Sequence, residues 1–275
     1  EIPDGEGAVH LLGLVQAALP LTSAGENAAA WLLLDKIVDF TSRSRNPDVA
    51  GPMHSARALR YLIQGAQDST YQELEAAAAA FERIGSVRAA IEHLAAAGFH
   101  LLELGCLGRG EEILRRTIER SVALGLEHLC AVARHNLGRR VGEAGRVDEG
   151  IELERQALAS FEHHRNHRMT GLTHCHLAWL LLLAGRAEGA MAHAELAMAH
   201  LPEHPAAGLI AHATRAQVRM HVGATAAALE DARAALEGLE DLGQVQEGES
   251  LIRLTWAEAL AAAGRHDEAR VAILV

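Results

Sequence analysis

Apolar residues recur along this chain at intervals of three and four, in blocks bounded by glycine. One glycine returns at a nearly fixed distance, at Gly25, Gly65, Gly105, Gly145, Gly185, Gly223 and Gly264. The first five are forty residues apart, and the last two gaps are 38 and 41. Large apolar residues hold constant offsets from it. Four positions before stand Leu21, Tyr61, Leu101, Val141, Leu181 and Leu260; thirteen after stand Val38, Ile118, Leu158, Met198 and Leu236. Small residues hold others. Seven before the glycine are Ala18, Ala58, Gly98, Gly138, Ala178, Ala216 and Ala257; five after are Ala30, Thr70, Gly110, Gly150, Ala190, Ala228 and Ala269. A third small column, twelve after, runs through Ala77, Thr117, Ala157, Ala197 and Ala235, broken by Ile37.

The pattern predicts helix, glycine turn, helix in every unit. Glycine ends the first helix in a left-handed conformation, and acids such as Asp148-Glu149 and Asp267-Glu268 open the second near its positive end. Gly85, Gly125 and Gly243, or Pro202 and Pro205, stop the second helix. Period-two alternation is absent, so no sheet is expected. A forty-residue period of this kind belongs to stacked repeats, none of which buries its apolar face alone.

These residues resemble a tetratricopeptide repeat. The match runs through Asn136-Leu137-Gly138, Gly145 to Gly150 and Ala157-Leu158, and again through Leu177-Ala178, Leu181, Gly185, Ala190, Ala197 and Pro202. The period places the resemblance in the family's long-repeat branch, with kinesin light chain and the sensor regions of bacterial signalling ATPases, kinases and transcription activators. The resemblance implies an all-α, right-handed α-solenoid of six to seven helix pairs, one domain over residues 1–275, as a fragment of a longer protein. Two units depart from the pattern. Arg215 and Arg219 stand where the Gly223 unit should be apolar, which leaves its register open, and Pro20 falls inside the first helix of the Gly25 unit.

Composition narrows the partners. Formal net charge is −11 and Lys36 is the only lysine, which argues against binding along a nucleic-acid backbone. The longest apolar run near a repeat core, Leu177 to Ala184, is far too short to span a membrane, and no basic-then-apolar leader opens the chain. Cys106, Cys130 and Cys175 are odd in number and scattered, as expected of buried thiols in a reducing, cytoplasmic setting.

Chemistry-bearing clusters are few. His163, His164, His167, His174, Cys175 and His176 form the densest group. His163 and His167 have i,i+4 spacing, as zinc ligands do, but lie in a polar stretch at a helix end. His174 and His176, two apart, point to different faces. Cys175 lacks an orientable base beside it. No phosphate-cradling or dinucleotide glycine loop is present. Neither a catalytic site, a metal site nor a cofactor is expected.

Function then falls to the groove. In the family the first helices line it, at positions ten, nine, six and three before the glycine. By that resemblance Phe99, His135, Asn136, Arg139, His176 and Trp179 are the candidate partner-binding residues. Asn136 matches the asparagine that clasps a ligand backbone in peptide-binding members, while the family's carboxylate clamp is absent, its places being held by Ala95, Phe99, Leu172 and His176. Trp179 lies in a helix apolar all round, which requires burial by supercoiling or by a partner. The expected activity is non-enzymatic binding of protein or peptide, as a sensor or scaffold region linked to flanking domains. The alternative is a self-contained receptor for a short peptide or small effector, and a metal-dependent enzyme comes third. At the C-terminus, Ile273, Leu274 and Val275 are expected to lack a covering repeat.

Overall fold

One bonding pattern closes nearly every turn. At Gly105, its N–H donates to Leu102 O at 3.0 Å, and the next N–H, of Cys106, reaches back to Leu101 O at 2.9 Å. This satisfies carbonyls that the helix end leaves open and requires a positive φ, 77° at Gly105. The same pair of bonds recurs at Gly65, Gly85, Gly125, Gly145, Gly185, Gly223 and Gly264. It recurs also at Arg165, whose φ of 53° makes it the only non-glycine residue with positive φ among those described.

The computed structural model describes residues 7–23, 27–43, 46–243 and 248–274, and among these it contains helices and turns with no strand. The helices are α1 (Gly7–Ser23), α2 (Asn27–Arg43), α3 (Ala50–Ile63), α4 (Gln67–Arg83), α5 (Val87–Glu103), α6 (Leu107–Ala123) and α7 (Glu127–Glu143). They continue as α8 (Val147–His163), α9 (His167–Leu183), α10 (Ala187–His200), α11 (Pro205–His221), α12 (Thr225–Leu242), α13 (Glu249–Ala262) and α14 (His266–Ala272). From Gln67 to Ala187 a helix begins every twenty residues. The fold is an all-α helical-repeat solenoid, with seven helix pairs among the described residues. Gly25 lies outside the described residues, so its turn is not part of this description; α1 itself runs through Pro20.

The small columns are where paired helices meet. Ala18, Ala178, Ala216, Ala30, Ala190, Ala228, Ala77, Ala157, Ala197 and Ala235 are all wholly buried. Helices α7 and α8 approach closely: a Cβ on Gly150 would lie 2.6 Å from Gly138 O and 3.1 Å from Gly142 Cα. Backbone occupies that space, so only glycine fits there.

The chain divides into two compact units, residues 1–137 and 138–275, with the boundary inside α7. In the first, Leu11, Leu34, Ile37 and Leu59 form one core and Tyr71, Leu74 and Leu101 another. In the second, Ile151 of α8, Leu177 and Leu180 of α9, Ala190 of α10 and Val218 of α11 pack together. This explains the all-round apolar character of α9, since α8, α10 and α11 cover it on different sides. Ile273 and Leu274, past α14, are 65% and 85% exposed; Val275 lies outside the described residues.

The Gly223 unit keeps its register. Gly223 has φ 78°, and Ala216, seven before it, is buried. Arg215 and Arg219 fit because α12 supplies Asp231, itself only 4% exposed. Arg215 donates Nη2 to Asp231 Oδ1 at 2.7 Å and Nε to Oδ2 at 2.9 Å, and Arg219 donates Nη1 to Oδ2 at 2.7 Å. Charge-assisted bonds of this kind take the place of apolar contact.

Candidate functional site

The second unit holds a small, half-open pocket of about 40 Å³, enough for a side-chain tip or a few waters. Its lining comes entirely from odd-numbered helices: Arg139 of α7, Cys175, His176 and Trp179 of α9, Ile210, Thr214 and Gln217 of α11, and Leu251 of α13. These helices are the first members of their pairs, so alternate helices of this unit present one common face. Regular spacing produces this. Residues at a constant offset from each turn glycine fall at the same angular position on successive first helices.

Each wall has its own chemistry. Arg139 donates Nε to Glu143 Oε1 at 2.8 Å, one turn along α7, and Glu143 also accepts from Arg140 Nη1 at 2.8 Å. Although burial opposes it, the two guanidiniums hold the Glu143 carboxyl below its ordinary range. His176 Nδ1 lies 2.9 Å from Oε1 of Glu154, whose side chain is wholly buried beneath it. At that distance the imidazole and carboxylate form a hydrogen-bonded pair. Trp179 is half-buried, and its indole N–H is shut off from solvent with no acceptor among the described residues. Burial pushes the Cys175 thiol up to about 12, so it stays protonated and is no nucleophile at neutral pH.

Of the six residues singled out in the sequence, Arg139, His176 and Trp179 therefore share this pocket. Phe99, His135 and Asn136 belong to the first unit. Phe99 is half-buried on α5, its ring edge-on to His100 at 5.3 Å, and Asn136 is half-buried on α7. His135 is only 5% exposed, which removes it from direct contact with a partner. Ile210 and Leu251 were missed. Both stand thirteen before their glycines, one further turn along the same helix face as positions ten and nine, so constant offset could have found them.

The histidine-rich stretch resolves differently from its spacing. His163 ends α8 and His167 opens α9, with the Arg165 turn between them, so they do not share a helix face. His167 stacks on His200 with centroids 5.9 Å apart, His200 lies 5.6 Å from His174, and His174 Nδ1 is 2.8 Å from His193 Nδ1. Burial, then the neighbouring His193 and His200, lower His174 to about 4. Cys130 and Cys175 are buried as expected, but Cys106 is exposed, because it caps the turn before α6 rather than packing within a helix.

No helix among the described residues is long and apolar enough to cross a membrane. No family model and no curated protein sequence matches the chain. Solved structures of tetratricopeptide-like repeat proteins do match its fold. A putative kinesin light chain from Podosopora anserina, of nearly identical TPR-like repeats, is 18% identical, with a TM-score of 0.53 over 73% of this chain and 97% of that one. A Rap protein complexed with competence and sporulation factor is 10% identical, with a TM-score of 0.66 over 97% of this chain and 96% of that one. The fold is thus the tetratricopeptide-like repeat solenoid that the residues resemble.

Proposed function

We propose that this protein is a non-enzymatic binding solenoid that holds a protein or peptide segment against the face made by α9, α11 and α13 with the end of α7. One observation carries the reading: every residue lining the pocket comes from alternate helices, so the repeat itself builds the surface. Trp179 and Arg139 are of the types that dominate partner binding. The pocket's size suits one anchoring side chain of a longer segment, which favours an open face over a receptor that encloses its whole ligand. The likeness in fold to Rap, solved in complex with competence and sporulation factor, supports a polypeptide-binding role. Phe99 and Asn136 are candidates of their own on the first unit. The setting we favour is the sensor or scaffold region of a larger bacterial, cytoplasmic signalling protein.

Peptide display against the full chain supplies the test. Selected peptides should lose about thirtyfold or more in affinity on Trp179→Ala, as expected for a buried anchor. Leu251→Glu, at another lining residue, should weaken them as well, with helical circular dichroism unchanged. Peptides that bind both variants as they bind wild type would refute the face assignment.

A further inference from the structure

We infer that the pocket of the second unit recognises a carboxylate attached to an apolar group, a proposal that rests on the binding face above and names its ligand chemistry. The pocket's one charged group is a donor, the Arg139 guanidinium. Arg139 spends Nε on Glu143, and its two terminal nitrogens carry no hydrogen bond among the described residues. That bond also fixes the plane of the guanidinium, so the open edge is pre-oriented. Gln217, half-buried on α11, likewise has no hydrogen-bond partner among the described residues, and its amide NH2 can supply a second donor in the lining. Glu154, a wholly buried acid, pairs with the lining residue His176 and has no exposed side-chain surface. The rest of the lining is Cys175, His176 and Thr214 with the apolar surface of Trp179, Ile210 and Leu251.

An occupant that satisfies these groups must accept at two points in a plane and bring apolar surface beside them. A carboxylate meets the Arg139 fork in bidentate fashion, whereas an amide or alcohol meets it once at most. A cationic group is excluded by Arg139 itself. The volume admits the carboxylate and leaves its apolar neighbour against the Trp179 wall. Two sources supply this chemistry: the C-terminus of a chain ending in an apolar residue, or an Asp or Glu side chain within a chain.

Three probes separate them on the full protein: N-acetyl-leucine, N-acetyl-leucinamide, and N-acetyl-aspartic acid α-amide. Binding is read from the Trp179 indole N–H resonance, assigned by its loss in Trp179→Phe. The acid should shift that resonance saturably in the range of about 1–10 mM, typical of so small a ligand. The leucinamide should bind about tenfold more weakly or worse, and Arg139→Gln should weaken the acid by a similar factor without lowering the thermal midpoint. Preference for N-acetyl-leucine assigns a C-terminal source, and preference for the aspartic acid α-amide assigns a side chain; both support a carboxylate. Equal binding of acid and leucinamide, an unaffected Arg139→Gln, or no saturable shift from either acid overturns the inference. Display-selected peptides that need Trp179 yet tolerate Arg139→Gln would overturn it while leaving the binding face intact.

Discussion

Replacing Gly150 by alanine should destabilise the second unit even though alanine is the better helix former. In an open helix the change would gain about 1 kcal/mol. Here the new Cβ would stand 2.6 Å from Gly138 O, 3.0 Å from Gly142 N and 3.1 Å from Gly142 Cα. All three are backbone, so no side chain can turn aside, and α7 and α8 must separate. A gap of about 0.5 Å already forfeits about a quarter of each dispersion contact across an interface. Overpacking of this kind costs about 3 kcal/mol at the upper end of its range. The net is about 2 kcal/mol of lost stability. Gly189→Ala is the internal control, because its Cβ would meet only the Leu181 side chain, at an ordinary 3.5 Å and 3.9 Å. That variant should gain up to about 1 kcal/mol. Urea unfolding followed by far-ultraviolet circular dichroism should move the midpoint down for Gly150→Ala and up for Gly189→Ala. A Gly150→Ala midpoint at or above wild type would show that the α7–α8 contact does not set the repeat spacing.

Other perturbations follow from the same structure. Arg165→Gly should raise the unfolding free energy by about 0.5–1 kcal/mol, and the midpoint with it, since Arg165 holds a φ of 53° that a side chain disfavours and glycine adopts freely; an unchanged or lower midpoint contradicts the strain. Asp231→Asn should cost about 3 kcal/mol, because it removes the buried partner of Arg215 and Arg219, and thermal unfolding measures it. Acid should destabilise the fold between about pH 6.5 and 4. His174 and His100 titrate near 4 when folded, so the unfolded chain binds protons first, and the stability present above pH 6.5 is lost as pH falls. Around His174 stand His193 and His200, with Arg155 acting on His193, all of which oppose a new positive charge. His174→Gln should shrink the loss between pH 6.5 and 4, and an unaltered pH profile would contradict the assignment.

The helices were legible because the repeat records each turn twice, in the glycine that ends a helix and in the small residues that let its partner approach. Gly98, Gly110, Gly138 and Gly150 read as small positions and sit where backbone or a buried leucine or glutamate side chain leaves no room for a Cβ. The twenty-residue spacing was partly hidden, since Arg165 occupies the turn position that glycine holds elsewhere. Arg215 and Arg219 defied the apolar pattern because their partner, Asp231, lies in the next helix, where pattern matching within one helix does not look. Exposure was harder to read than position. His135 and Asn136 are adjacent on α7, yet one is buried and the other half-exposed, because burial depends on the neighbouring helices and not on offset alone. Offset did predict which helices line the pocket, and extending the column to thirteen before the glycine adds Ile210 and Leu251.

Hydrogen exchange in the presence of a display-selected peptide bears most directly on the binding role. The account predicts added protection along α9 and α11, centred on Trp179 and Gln217, with α8, α10 and α12 unchanged. Protection confined to α8, α10 and α12 would contradict it, because the partner would then lie on the second helices of the repeats and not on the first.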